Sequence, residues 1–316
     1  MRKTVDEIRE QLAPLPASGE REQSKKHRRW FWRIVRVALL VYIGAIVVLG
    51  AMQKYFIFPG ASSQGRRDAV VRPSEGAELL KLQTPEGEVA ALFGEAMNPD
   101  GSVHPDGAHR PTVLYFYGNG MCMADCVGDF MKLRRRGFNV MVPDFIGYGM
   151  SGGSPSEAGV YATAEACMSH LMMRKGIDPN RIVPMGWSLG ASAAIHLAVG
   201  RQVPAIVIVS AFTSIDDMGR RMFPFAPIGM IVRHHLDNDR KIRQVVCPIF
   251  IGHGTRDSII PFEMSETLAA NAGGEVTKYD IEGGDHNDVF DVGGTALADA
   301  IAAFVEKHAG GDMAEK

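Results

Sequence analysis

Short apolar runs alternate with helix-length segments over most of the chain, and one long uncharged run stands apart from them near the front. From Leu79 onward the short runs are Leu79–Gln83, Val89–Glu95, Thr112–Tyr117, Asn139–Pro143, Arg181–Met185, Ala205–Val209, Pro248–Gly252 and Glu275–Ile281. Several are rich in valine and isoleucine, and their length suits buried strands. Between most of them lie segments of ten or more residues with helical character, at 124–136, 157–175, 189–200 and 262–271. Thr84-Pro85-Glu86-Gly87 separates the first two runs and predicts a hairpin turn. The pattern predicts the α/β class, with a mostly parallel sheet, helices on both faces and an antiparallel hairpin at the front edge. Asn98–Arg110 reads as a surface loop. Asp216–Arg243, which contains MFPFAPIGMIVRHHLDND, predicts a small helical cap over the sheet.

The long run is Val37–Met52, sixteen residues without a charge. With the flanking Trp30–Arg36 stretch, whose arginines can snorkel, it approaches the roughly 20 residues that a bilayer requires. Trp30, Phe31 and Trp32 on one side and Tyr55, Phe56 and Phe58 on the other resemble interfacial belts. A buried core helix would need a polar face there, and only Tyr42 offers one. Six basic residues precede the run (Lys25, Lys26, Arg28, Arg29, Arg33, Arg36) and three follow it (Lys54, Arg66, Arg67). That bias orients the N-terminus to the cytoplasm and the large C-terminal part to the other side. A cleaved signal peptide is the first rival reading, although Leu49-Gly50-Ala51 is a weak cleavage site. Arg28-Arg29-Trp30-Phe31, similar to a twin-arginine signal, is the second.

The expected organisation is a polar and basic cytoplasmic tail (1–29), a transmembrane signal anchor (30–54), a linker (55–78), a catalytic domain (79–308, its cap at 216–243) and a C-terminal tail (309–316). Composition adds little to this. A hydrophobic fraction of 46% and a charged fraction of 22% belong to an ordinary globular protein. A net charge of −2, with the basic residues gathered near the front, gives no sign of a nucleic-acid partner. The four cysteines (Cys122, Cys126, Cys167, Cys247) are too few for a disulfide scaffold and read as packing thiols. Cys122 and Cys126 form an incomplete set for zinc.

The candidate chemistry centres on Gly186-Trp187-Ser188-Leu189-Gly190, between the run Arg181–Met185 and the small-residue helix that starts at Leu189. A nucleophile elbow has this context: the serine occupies a strained strand-to-helix turn, and glycines two before and two after let backbones pass. Gly149-Met150-Ser151-Gly152-Gly153 fits the same pentapeptide. A loop separates it from its strand, and Ser154-Pro155-Ser156-Glu157 reads as a loop ending in a helix cap. Context therefore selects Ser188 over Ser151.

Serine needs a base, and the base an orienting acid; where the serine stands on a nucleophile elbow in this architecture, the chain order is serine, acid, histidine. Of the ten histidines six follow Ser188. His196 lies in the elbow's helix, His234 and His235 in the expected cap, and His308 in the tail. His253 ends a strand only four residues before the best acid. His286, in the loop after the last strand run, is the candidate base. Asp257, in the turn after Pro248–Gly252, is the candidate acid, while Asp285 and Asp288 are expected to shape the histidine loop. Tyr117-Gly118-Asn119-Gly120 ends a strand where an oxyanion hole is needed, so the backbone N–H groups of Asn119 and Leu189 are the expected donors.

On these residues the chain resembles the α/β-hydrolase superfamily, and more narrowly small-cap hydrolases similar to acylaminoacyl peptidases and to membrane-associated depalmitoylases. The resemblance runs from Leu79 to Lys307. It includes Val142-Pro143-Asp144, Gly147-Tyr148-Gly149, Ser210-Ala211-Phe212-Thr213-Ser214-Ile215, Cys247-Pro248, His253-Gly254-Thr255-Arg256-Asp257 and His286-Asn287. It implies cleavage of acyl esters, thioesters or amides through an acyl-enzyme, without metal or cofactor. The expected substrate is a small-molecule or lipid-like acyl ester. A peptidase of the acylaminoacyl type and a non-catalytic binding protein on the same fold are the alternatives. The chain departs from the family pattern at Tyr117, where His is common, at Phe145-Ile146, where Tyr-Arg is frequent, and at Asp285, where a small residue usually precedes the histidine.

Overall fold

The computed structural model of the chain describes residues 18–74 and 76–310. The chain divides into two compact units, 1–51 and 52–316. In the first, the described residues from Ser18 are helical, and helix α1 continues to Ile57. The apolar stretch within it, which includes Val37, Leu40, Val41 and Val47, is exposed, and the helix is long and apolar enough to cross a membrane. The first seventeen residues of the expected tail, and the last six of the chain, lie outside the described residues.

The second unit is built on a sheet of eight strands. They are β1 (Ala77–Thr84), β2 (Gly87–Gly94), β3 (Thr112–Phe116), β4 (Asn139–Pro143), β5 (Ile182–Trp187), β6 (Ile206–Val209), β7 (Ile249–Gly254) and β8 (Val276–Ile281). Their order is β1-β2-β4-β3-β5-β6-β7-β8. β1 and β2 form the expected antiparallel hairpin, β2 pairs antiparallel with β4, and every later pairing is parallel. Strands β3 to β7 are buried along their whole length, which is why they read as continuous apolar runs rather than alternating ones. Edge strand β8 carries Lys278 and Asp280 outward, which discourages further pairing there.

The helices are α2 (Val127–Arg135), α3 (Glu157–Met173), α4 (Leu189–Gly200), α5 (Ile215–Met222), α6 (Ile228–Ile231), α7 (Asn238–Ile242), α8 (Phe262–Asn271) and α9 (Val289–Ala309). Helices α5, α6 and α7 occupy the stretch expected to form the cap. Helix α3 starts where Ser156 caps it, the Ser156 Oγ accepting from Gly159 N at 2.9 Å. Helix α9 does not stand out in the sequence, and it places His308 in a last helical turn rather than in a tail. The cause is Gly293-Gly294: Gly294 has φ 50° and ψ −139°, which interrupts the helix and its apolar period.

Residues 55–78, expected to be a linker, carry buried Phe58, Ala69 and Val71, and Ser63 Oγ accepts from Gly149 N at 2.9 Å. Buried Asp144, just past β4, organises the centre of the unit. Its carboxylate accepts from Tyr117 Oη (2.8 Å), Met123 N (2.6 Å) and Met150 N (2.7 Å). One side chain thereby fixes the ends of two loops that flank the top of the sheet. Asp144→Ala leaves three donors, two of them fully buried, without their acceptor and is expected to destabilise the fold by about 3 kcal/mol in urea unfolding.

Candidate active site

Strand β5 ends at Trp187 and helix α4 begins at Leu189, so the whole turn is Ser188. Its φ of 54° and ψ of −115° lie where a residue with a side chain is strained. The turn is possible because Gly186 and Gly190 have no side chains: a Cβ on Gly186 would strike the Gly190 carbonyl, and one on Gly190 the Phe116 carbonyl. Ser188 N also donates to Val209 O (2.9 Å), which ties the turn to the neighbouring strand β6.

The parallel order β5-β6-β7-β8 carries successive loops past the same sheet end. The Asp257 turn follows β7 and the His286 loop follows β8. All three side chains meet there and are buried. Ser188 Oγ donates to His286 Nε2 (3.0 Å), and His286 Nδ1 donates to Asp257 Oδ2 (2.8 Å). Trp187 lies along the histidine ring, its centroid 5.8 Å away and tilted 30°, and Phe290 closes on Trp187 edge-on at 5.5 Å.

His253 also joins the carboxylate. Its Nε2 stands 2.9 Å from Ile260 O and 3.3 Å from Asp257 Oδ2, both acceptors, so this ring carries its proton on Nε2. Ile259 N and Ile260 N donate to the other oxygen, Oδ1, at 3.0 and 2.7 Å. Burial pushes the Asp257 carboxyl up, but the hydrogen bonds from His253 and His286 and the nearby charge of His286 outweigh it. The net effect holds the acid well below the ordinary carboxylate range. In the sequence His253 reads as no more than a strand end. Its spacing of four before Asp257 is the one trace of this contact in the sequence.

The Tyr117–Gly120 turn lies against the elbow, since a Cβ on Gly118 would come within 2.8 Å of the Trp187 ring. The Asn119 side chain donates through Nδ2 to Ile57 O (2.6 Å) and accepts at Oδ1 from Tyr148 Oη (2.9 Å). Ser151 is occupied elsewhere. Its Oγ donates to Asp144 O (2.7 Å) and accepts from Ala90 N (2.9 Å), which makes it a buried strut.

The three departures from the family pattern have structural work. Tyr117 is the phenol bound to Asp144. Phe145 packs among Phe116, Tyr117 and Tyr148. Asp285 Oδ1 accepts from Ser258 N (2.7 Å), Ser258 Oγ (2.8 Å) and His286 N (2.7 Å), bolting the histidine loop to the Asp257 loop. Asp288 closes the same loop by accepting from Asp285 N at 2.7 Å. All four cysteines are free thiols, and among the described residues no group of three or more His, Cys, Asp or Glu could hold a metal ion.

This sheet, with its elbow at the central strand, is that of an α/β hydrolase, and the chain belongs to that family. Residues 116–240 match the Alpha/beta hydrolase family. An uncharacterized protein of Mycobacterium tuberculosis is 30% identical over 285 residues, 87% of this chain and 95% of its own. Protein bem46 of Schizosaccharomyces pombe is 30% identical over 243 residues, covering 71% of this chain and 76% of its own. Among solved structures, an α/β hydrolase from Vibrio vulnificus superposes with a TM-score of 0.60 at 20% identity, covering 77% of this chain and 91% of that one. The Pyrococcus furiosus esterase Pf2001 gives 0.60 at 17% identity, covering 76% and 96%. At such identities the two structures speak for the fold alone.

The depressed Asp257 carboxyl has a consequence for stability. The unfolded acid titrates near pH 4, so its ionised form stabilises the fold above that pH, and the stabilisation fades as pH falls toward the lower folded value. Asp257→Asn is therefore expected to be less stable than the parent at pH 7, with the gap narrowing between about pH 5 and pH 3 in urea titrations.

Proposed function

We propose that the protein is a membrane-anchored serine hydrolase that cleaves carboxylic esters or thioesters. The observation that carries this reading is the Ser188–His286–Asp257 line, at 3.0 and 2.8 Å, on a serine held at positive φ. Ser188 Oγ attacks the acyl carbon while His286 Nε2 takes its proton. Asp257 keeps the ring in the tautomer that leaves Nε2 free to accept, and stabilises the imidazolium once it forms. The carbonyl oxygen gains charge and is met by the backbone N–H groups of Asn119 and Leu189. The C–O or C–S bond then breaks, and His286 returns the proton to the leaving group. Water repeats the sequence on the acyl-serine, releasing the acid and restoring Ser188.

Ester cleavage is the first substrate class to test because an esterase is among the solved proteins of this fold. The exposed apolar helix before the hydrolase unit supports the anchor. The excess of basic residues ahead of it supports a cytoplasmic N-terminus, with the catalytic unit on the opposite side.

Ser188→Ala should lower kcat on a short-chain p-nitrophenyl ester by about 10⁴ or more and abolish fluorophosphonate labelling. Retained turnover would overturn the assignment. Ser151→Ala should keep its kcat and lose about 1–2 kcal/mol of stability instead, since it breaks two buried hydrogen bonds. Protease added to sealed vesicles of known sidedness tests the topology. The hydrolase unit should be digested only from the non-cytoplasmic face, and digestion from the cytoplasmic face would reverse the orientation.

A further inference from the structure

The cap carries an eleven-residue run, Met222–Val232, with no charged or hydrogen-bonding side chain. Of its apolar side chains only Ile228 is buried. Phe225 is 88% exposed, Met230 86% and Met222 61%. Large apolar groups gathered at one tip are costly in water and mark a surface that meets something apolar.

The position of this tip identifies what it meets. The cap is pinned to the closing turns of helix α1 within the hydrolase unit. Gln53 Nε2 donates to Ile231 O (3.1 Å), and Arg233 N donates back to Gln53 Oε1 (2.8 Å). Phe56 meets Phe223 edge-on with centroids 6.4 Å apart, and Phe58 meets His234 at 5.2 Å. Tyr55 and Phe56 are themselves exposed. The uncharged run that we read as the membrane span ends at Met52, four residues before Phe56. Chain connectivity alone keeps Phe56 within about 14 Å of the end of that run. A cap bonded to residues 53–58 is therefore held where the span leaves the bilayer. Arg220, Arg221 and Arg233 border the apolar run on both sides, as basic residues border segments that lie in an anionic lipid surface.

We propose that Met222, Phe223, Phe225 and Met230 form a lipid-docking surface that sinks into the leaflet from which helix α1 emerges. The occupant is the bilayer itself, and the inference rests on reading α1 as a membrane anchor. Docking fixes the hydrolase unit against the membrane at a second place besides its tether. A tether alone would leave the unit free to swing, whereas two attachments hold the cap at the lipid surface.

The test uses the full chain with Cys247→Ser, reconstituted in phosphatidylcholine vesicles containing phosphatidylglycerol. An environment-sensitive fluorophore is attached at Phe225→Cys or, as control, at Met173→Cys. Met173 is 81% exposed and ends helix α3, whose first residue, Glu157, faces His234 of the cap. The seventeen residues of that helix separate its two ends by about 24 Å. Phospholipids bearing a nitroxide high on the acyl chain should quench the probe at position 225 at least about threefold more than the one at 173, as burial of 5–10 Å into the interface requires. Equal quenching in a protein that resists alkaline extraction would leave the anchor standing and overturn the docking surface. Release by alkaline extraction would overturn the anchor and the docking surface together. Phe225→Asp combined with Met230→Asp should keep its turnover of a water-soluble short-chain ester in these vesicles, which shows that the unit is still folded. With that turnover kept, unaltered quenching of a Met222→Cys probe in this variant would also count against the proposal.

Discussion

The close passage of backbone at Gly190 is the constraint from which the rest of the site follows. The start of helix α4 lies against the Phe116 carbonyl with no room for a methyl group between them. That contact draws the elbow onto the end of β3, beside the turn that carries Asn119. It also forces the chain to reverse within one residue, so Ser188 takes a conformation that costs on the order of 1–3 kcal/mol. Burial of the surrounding strands offsets that cost, and the strand bond from Ser188 N to Val209 O holds the turn in place. Parallel pairing then supplies everything else from one side. Successive strands deliver the acid and the histidine past the same end of the sheet.

Around this turn the polar groups form two separate systems. One centres on Asp257, which gathers His253, His286 and two backbone amides. The other centres on Asp144, which gathers Tyr117 and the amides of Met123 and Met150. The first fixes the His286 ring against Ser188 Oγ and the second fixes a loop beside it. Asp285 connects the loops of the first system from outside, through Ser258. A carboxylate beside a histidine in sequence is well placed to brace its loop and badly placed to reach the back of its ring.

Much of this was legible in the residues because strand burial and glycine chemistry are local. Each expected strand is present, and the two matches to one pentapeptide were separable by what preceded and followed them. Ser151 lacked a strand directly before it and a helix directly after it, and in the folded chain it bonds to Asp144 O and Ala90 N. Helix α9 is not legible in the sequence because Gly293-Gly294 breaks its period. The part played by His253 is not legible either, because it depends on a loop, 257–260, folding back over the strand it came from. Tyr117 looked like a family histidine gone missing, and only the position of Asp144 twenty-seven residues later shows why a phenol suits that place. Such long-range partners leave no periodic trace.

The hydrogen bond from Asn119 to the Ile57 carbonyl bears on modularity. Seen along the sequence, the protein divides into a stalk and a head, joined by a stretch that invites cutting. Seen in space, the head has borrowed the end of the stalk: Gln53 braces the cap, Ile57 holds the side chain of Asn119, and Ser63 and Gln64 hold the loop around Gly149 and Ser151. A soluble head severed at Leu79 would lose each of those partners. The indivisible piece begins inside the helix, so a cut placed between helix and sheet would also remove contacts that shape the candidate site.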